Sequence, residues 1–148
     1  MDIKYVSFDI DGVLVNSENR LKLCLKSNNE VDWDCFLDCR KLFMDSPKTR
    51  NINLLKLLRS RGGFGIIIVT GRRESMRKCT IDQLRSFGVN EFEDLFMRPD
   101  DNTEPDPVYK SGMIKNLLRR YEILVHFDDN ADTVSTLVNN GIDAVVIS

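Results

Sequence analysis

No apolar run in this 148-residue chain is long enough to cross a bilayer: the longest, Ile66–Val69, falls far short of the about 20 residues a spanning helix needs. Near the N-terminus, Asp2, Lys4, Asp9 and Asp11 stand where a secretory leader would place its apolar core, so the expected location is cytoplasmic. Charge of one sign is not in excess either. With 21 Lys+Arg against 23 Asp+Glu the formal net charge is −2, which excludes a bulk-charge signature for nucleic acid or membrane and leaves only a local basic face as an option. The single histidine, His126, and four cysteines without a CxxC pair exclude the usual Cys/His zinc spacings. Cys24, Cys35, Cys39 and Cys79 are therefore expected as free, mostly buried thiols of a reducing compartment. Internal repeats, low-complexity tracts and the GxxxxGK[S/T] loop of a kinase are missing as well.

What is present is an ordinary globular composition, 42% hydrophobic and 30% charged, at a length that suits one domain over 1–148. The short apolar runs Ile3–Phe8, Gly65–Thr70, Ile123–Phe127 and Ala144–Ile147 predict buried parallel strands, with a weaker one at Asp94–Met97. Helical spacings separate them: Trp33, Phe36 and Leu37; Ile52, Leu55 and Leu58; Met76, Thr80, Leu84 and Phe87; Ile114, Leu117, Leu118 and Tyr121; Ala131, Val134 and Val138. This alternation predicts a doubly wound α/β domain with a parallel sheet of about five strands. Residues 16–30 and 98–107 carry no such pattern and are expected as functional loops.

In an open parallel sheet the ligand lies beyond the carboxyl ends of the strands. The residues placed there are Asp9-Ile10-Asp11-Gly12 after the first strand, Thr70-Gly71-Arg72 after the second and Asp128-Asp129-Asn130 after the fourth. Four carboxylates on one sheet edge repel one another unless a divalent cation neutralises them, and an all-oxygen donor set suits Mg²⁺. A Mg²⁺ that keeps several waters usually works with phosphates, which the Thr70 hydroxyl, the following backbone N–H groups and Lys110 are equipped to hold.

FDIDG (Phe8–Gly12), VTGR (Val69–Arg72), Lys110 and FDDN (Phe127–Asn130) resemble, in this order, the four motifs of the haloacid dehalogenase (HAD) phosphatase superfamily, and the resemblance covers nearly the whole chain. The WDCFLDC segment, the Asp45–Pro47 turn and Leu95–Lys110 are further similar to the 3′-phosphatase domain of phage-type polynucleotide kinases and its stand-alone relatives, whose DxxxK element Asp106 and Lys110 match. Val13 departs from the many members that carry Thr or Ser after DxDG. The resemblance implies a Rossmann-like fold with a minimal cap or none, residues 13–50 forming a short insert at the cap position. It also implies a Mg²⁺-dependent phosphomonoester hydrolase working through an aspartyl phosphate. Asp9 is then the nucleophile and Asp11 the general acid/base, its pKa raised by neighbouring carboxylates. Thr70, Gly71, Arg72 and Lys110 would hold the phosphoryl group, while Asp9, Asp11 through its backbone carbonyl, Asp128 and Asp129 would hold Mg²⁺. The implied substrate is a phosphate at a DNA or RNA 3′ end, with a separate kinase or ligase as partner and no membrane. A small-molecule phosphatase for nucleotides or sugar phosphates is the alternative, followed by a non-catalytic phosphate-binding module.

Plainer roles compete for several of these residues. Trp33 and Phe36 fit the core better than a base-stacking platform, and His126 fits a satisfied core histidine. Asp106 before Pro107 fits a helix N-cap at least as well as a substrate contact. Arg72, Arg73, Arg77, Lys78 and Arg98 form either a solvated face or a basic track for a phosphodiester backbone.

Overall fold

The structure, a computed structural model, describes residues 2–148. In chain order the strands are β1 (Lys4–Phe8), β2 (Val15–Asn16), β3 (Ser46–Pro47), β4 (Gly65–Arg73), β5 (Asp94–Arg98), β6 (Glu122–Asp128) and β7 (Ala144–Val146). The helices are α1 (Glu18–Leu23), α2 (Trp33–Phe36), α3 (Thr49–Ser60), α4 (Arg77–Ser86), α5 (Asp106–Leu117) and α6 (Ala131–Asn139), with 3₁₀ turns at Cys39–Met44 and Glu74–Met76. Five strands form one parallel sheet in the order β5-β4-β1-β6-β7. The winding direction reverses at β1, and such a reversal opens a crevice at the carboxyl ends of the flanking strands.

Both faces of the sheet are covered, which is why β4 reads as a continuous apolar run. Ile66 and Ile68 pack with Val6, Phe8, Leu55 and Leu84 on one side. Ile67 and Val69 pack with Ile114, Leu117 and Leu137 on the other. Side chains alternate along a strand, so with Phe8 stacked on Phe127 (centroids 4.7 Å apart) on the first face, Ser7 and Asp9 of β1 share the opposite face with His126 and Asp128 of β6. That face looks toward α5 and α6.

The insert at the cap position is more ordered than its sequence pattern suggests. Residues 16–30, expected as a loop, contain α1, which has no apolar stripe because its one buried residue is the charged Arg20. The expected Asp45–Pro47 turn is in part strand: Ser46 and Pro47 pair antiparallel with Asn16 and Val15. The cysteines are not free. Cys24 is bonded to Cys35 and Cys39 to Cys79, so the expectation of free thiols fails and the reducing-compartment reading loses its support. Sequence spacing alone hid the pairs because α1, α2 and α4 meet only in the fold. The first bridge staples α1 to α2, and the second ties the 3₁₀ turn at Cys39–Met44 to α4. Closing loops of this size stabilises by about 2–4 kcal/mol per bridge. Reductant is therefore expected to lower the melting temperature, a shift that calorimetry reads directly and that a Cys39→Ser/Cys79→Ser variant would lack in part. No helix of the described residues is long and apolar enough to cross a membrane.

Candidate active site

β1 delivers Asp9 to the switch point, and the turn that follows fixes its surroundings. The Asp9 amide donates to the Phe127 carbonyl at 3.0 Å and its Oδ1 accepts from the Ile10 amide at 2.8 Å, so the backbone is tied to β6 and the side chain to the turn that follows. The amides of Val13, Leu14 and Val15 all donate to the Ile10 carbonyl, curling the chain tightly over the end of β1. Gly12 sits in this curl at φ +86°, and a Cβ there would stand 2.0 Å from Asp129 Oδ2. Only glycine meets both demands, and its missing side chain is the space the Asp129 carboxylate occupies.

Asp9, Asp128 and Asp129 each offer an oxygen such that all three lie within 4.8 Å of one another. Lys110 reaches in from the second turn of α5 and lies 3.1 Å from Asp9 Oδ2, 2.7 Å from Asp128 Oδ2 and 3.0 Å from Asp106 Oδ2. One ammonium does not neutralise the group. Burial, reinforced by Asp128, Asp106 and Asp129 against the opposing Lys110, pushes the Asp9 carboxyl well above the usual range. Burial and the Asp128 charge push Asp129 up to about 6. Asp128 itself is held down at about 2, since the hydrogen bond from His126 and the charge of Lys110 outweigh its burial. An under-neutralised set of three carboxylates, with glycine leaving room for one of them, fits a hard divalent cation.

The Asp11 side chain turns away from this cluster. Its Oδ1 accepts from Arg20 Nη2 at 2.6 Å and Arg72 Nη2 at 2.9 Å, and its Oδ2 from Arg72 Nε at 3.0 Å. Burial alone would raise the carboxyl, but Arg72 and then Arg20 outweigh it and bring it to about 2, against the expected upward push from neighbouring acids. Both guanidiniums are fully enclosed, and Arg20 also donates to Asp45 and to the Phe36 carbonyl. Sequence reasoning missed Arg20 because a lone Arg in a short polar segment without an apolar stripe carries no signal of burial.

A cavity of about 440 Å³ opens over these groups, with Asp9, Asp11, Thr70, Gly71, Arg72, Lys110 and Asp129 around it. Thr70 Oγ1 accepts from the Arg72 amide at 3.1 Å, which shapes the turn after the apolar part of β4. The fold has brought all eight sequence-predicted site residues to one place, with Asp128 forming the buried floor. The profile of HAD superfamily subfamily IIIB (acid phosphatase) matches residues 2–141.

The chain belongs to the HAD superfamily.

Solved structures agree on the HAD fold. A chain from the Pnkp1/Rnl/Hen1 complex superposes with a TM-score of 0.75 at 19% identity, covering 99% of this chain and 46% of that one. The class C acid phosphatase from Bacillus anthracis with tungstate bound gives 0.70 at 13% identity, covering 99% and 67%. The haloacid dehalogenase-like hydrolase SP0104 from Streptococcus pneumoniae gives 0.67 at 14% identity, covering 99% and 85%. This chain thus spans just under half the length of the Pnkp1/Rnl/Hen1 chain it matches. The sequence finds no match among curated proteins.

HAD phosphatases generally use a divalent metal, and the Asp9, Asp128 and Asp129 cluster supplies the donors for one. Several side chains take other places than their sequence context suggested. Asp106 does not cap α5: Pro105 precedes the helix, and the Asp106 carboxylate bridges Arg98 and Lys110. Of the expected basic track, Arg72 is buried on Asp11, Arg77 pairs with Glu74, and Lys78 pairs with Asp82. Only Arg73 and Arg98 reach the cavity wall together with Arg72. Phe36 is core as expected, whereas Trp33 is 56% exposed and lines the cavity, standing edge-on to Phe36. The Arg20 guanidinium stacks on the same Phe36 ring that Trp33 meets edge-on, 4.1 Å from its centroid.

Proposed function

We propose that this HAD phosphatase is a Mg²⁺-dependent phosphomonoesterase that works through an aspartyl phosphate on Asp9 and removes 3′-phosphates from nucleic-acid ends. The observation that carries the chemistry is the convergence of Asp9, Lys110, Asp128 and Asp129 within hydrogen-bonding or ligating reach beneath one cavity. Asp9 attacks phosphorus as the bond to the leaving oxygen breaks, and water later displaces phosphate from the acyl phosphate. Lys110, Thr70 and the Gly71 amide hold the phosphoryl oxygens. Asp9, Asp128 and Asp129, with the Asp11 carbonyl, would hold Mg²⁺, which when bound would supply charge stabilisation for the transferring group. Asp11, which Arg72 and Arg20 keep ionised in the free protein, is the group that would accept the proton of the hydrolytic water. A phosphate dianion beside it raises its proton affinity, so Asp11 would take up a proton from solvent as substrate binds and give it to the leaving oxygen in the first displacement.

The polynucleotide reading draws support from the likeness to the Pnkp1/Rnl/Hen1 RNA repair complex and from the exposed Trp33 on the cavity wall. Beside it, Arg73 is bound to Asp34 at 3.0 Å across the rim, a contact a phosphodiester can replace. A separate kinase or ligase would act on the product end. The acid-phosphatase profile favours a second reading, a nucleotide or other small monoester as substrate. Assay of a 3′-phosphorylated oligonucleotide against nucleoside monophosphates separates them: a higher kcat/KM on the oligonucleotide is expected, and equal values would select the small-molecule reading. Trp33→Ala is expected to lower kcat/KM about tenfold on the oligonucleotide, the worth of one base stack, and far less on a small generic ester. Excess chelator is expected to abolish both activities, and full turnover without metal would remove Mg²⁺ from the scheme.

A further inference from the structure

Beneath Asp128 lies a buried chain of side chains that the catalytic scheme does not use. His126 Nδ1 is 2.8 Å from Ser7 Oγ, and its Nε2 is 3.0 Å from Asp128 Oδ2. Ser7, His126 and the Asp128 side chain are wholly shut off from solvent. The register explains the contact: Ser7 faces His126 across the β1–β6 pair, two residues before Asp9 on one strand and Asp128 on the other. A carboxylate only accepts, so the imidazole presents N–H at Nε2, which leaves Nδ1 to accept the Ser7 hydroxyl in the neutral ring. Asp128 Oδ1 is held by the Asn130 amide at 3.1 Å, so with His126 on Oδ2 the plane of the carboxylate is set from both ends. Lys110 shares Oδ2 from the cavity side, but it is divided among Asp9, Asp106 and Asp128, so it does not by itself set the Asp128 plane.

We infer that His126, anchored at Nδ1 by Ser7 and given its tautomer by the Asp128 carboxylate, is a positioning residue that holds Asp128 in the orientation that binds the divalent cation. This rests on the metal-dependent reading above. Partners of this kind behind a ligand usually change metal affinity by ten- to a hundred-fold. The test is calorimetric titration of the intact protein with Mg²⁺ alone, alongside thermal melting. His126→Leu, which fills the site but cannot donate, is expected to weaken Mg²⁺ binding at least about tenfold. His126→Gln, which keeps a donor of similar reach, is expected within about threefold of wild type. Ser7→Ala removes the anchor at Nδ1, lets the ring turn, and is expected to fall between them. With Mg²⁺ saturating, kcat of each variant should recover while the metal concentration for half-activity stays raised, a pattern that loss of packing alone does not produce. Unchanged affinity in folded His126→Leu, or His126→Gln as defective as His126→Leu at equal melting temperature, overturns the inference. If His126→Leu does not fold, unchanged affinity in Ser7→Ala overturns it. Wild-type protein that binds no Mg²⁺ defeats the metal reading itself, a distinct result.

Discussion

Asp9→Asn is expected to reduce turnover by about 10⁴-fold or more while leaving the protein as stable as wild type or more so. The amide cannot form an acyl phosphate, and it removes one charge from the set that would hold the cation. In the absence of metal that same charge is a burden. Asp9 is buried beside Asp128, Asp106 and Asp129, and its raised pKa records how poorly the ionised form is accommodated. An isosteric amide removes the repulsion, and Lys110 keeps Asp106 and Asp128 as partners. Activity and stability are thus expected to move in opposite directions. Steady-state rates and metal-free melting curves on one preparation check both halves: undiminished turnover would remove Asp9 as nucleophile, and a large fall in melting temperature would mean that the cluster is neutralised some other way.

The strands and their ends were legible because burial on both faces leaves continuous apolar runs. All five strands of the parallel sheet, from Lys4–Phe8 to Ala144–Val146, lie within a residue or a few of the ranges read from the sequence. Polar residues directly after such runs had one place to go, so Asp9, Thr70, Asp128 and Asp129 were found with them. The insert was not legible in the same way. Beside a few buried apolar side chains it packs through a buried charge cluster, Arg20 and Asp45 with Arg72 and Asp11 of the sheet edge, and periodicity counts apolar residues only. Its two covalent ties join segments up to 40 residues apart, a proximity that no local pattern encodes. Asp11 lies at the cavity as expected, yet its pKa goes the other way: Arg72, visible in its motif but read as a phosphate ligand, turns its guanidinium onto Asp11, and Arg20, which no motif shows, adds to it.

That unseen arginine gives the second large effect. Arg20→Ala is expected to destabilise the fold by about 3–5 kcal/mol, since removing one partner of a buried ion pair leaves the other charge uncompensated. The stranded group is Asp45, fully enclosed, which keeps Gln83 Nε2 at 2.8 Å but has Arg72 only at 3.7 Å. For a domain of this size the loss amounts to a fall of about 10 °C in melting temperature. Turnover is expected to fall as well. Arg20 fixes Asp11 Oδ1 and, through the Phe36 carbonyl at 2.6 Å, ties α2 with Trp33 to the catalytic turn. Lysine does not replace it, because a single ammonium cannot serve Asp11, Asp45 and a carbonyl in one plane. Combining Arg20→Ala with Asp45→Asn separates the two roles, since the amide tolerates burial without a counter-charge. The double variant is expected to regain part of the melting temperature but none of the lost kcat, because Asp11 still lacks its second guanidinium. Recovery of both would mean that Arg20 acts only through the fold, and full turnover by Arg20→Ala well below its melting temperature would show that Arg72 alone suffices to orient Asp11.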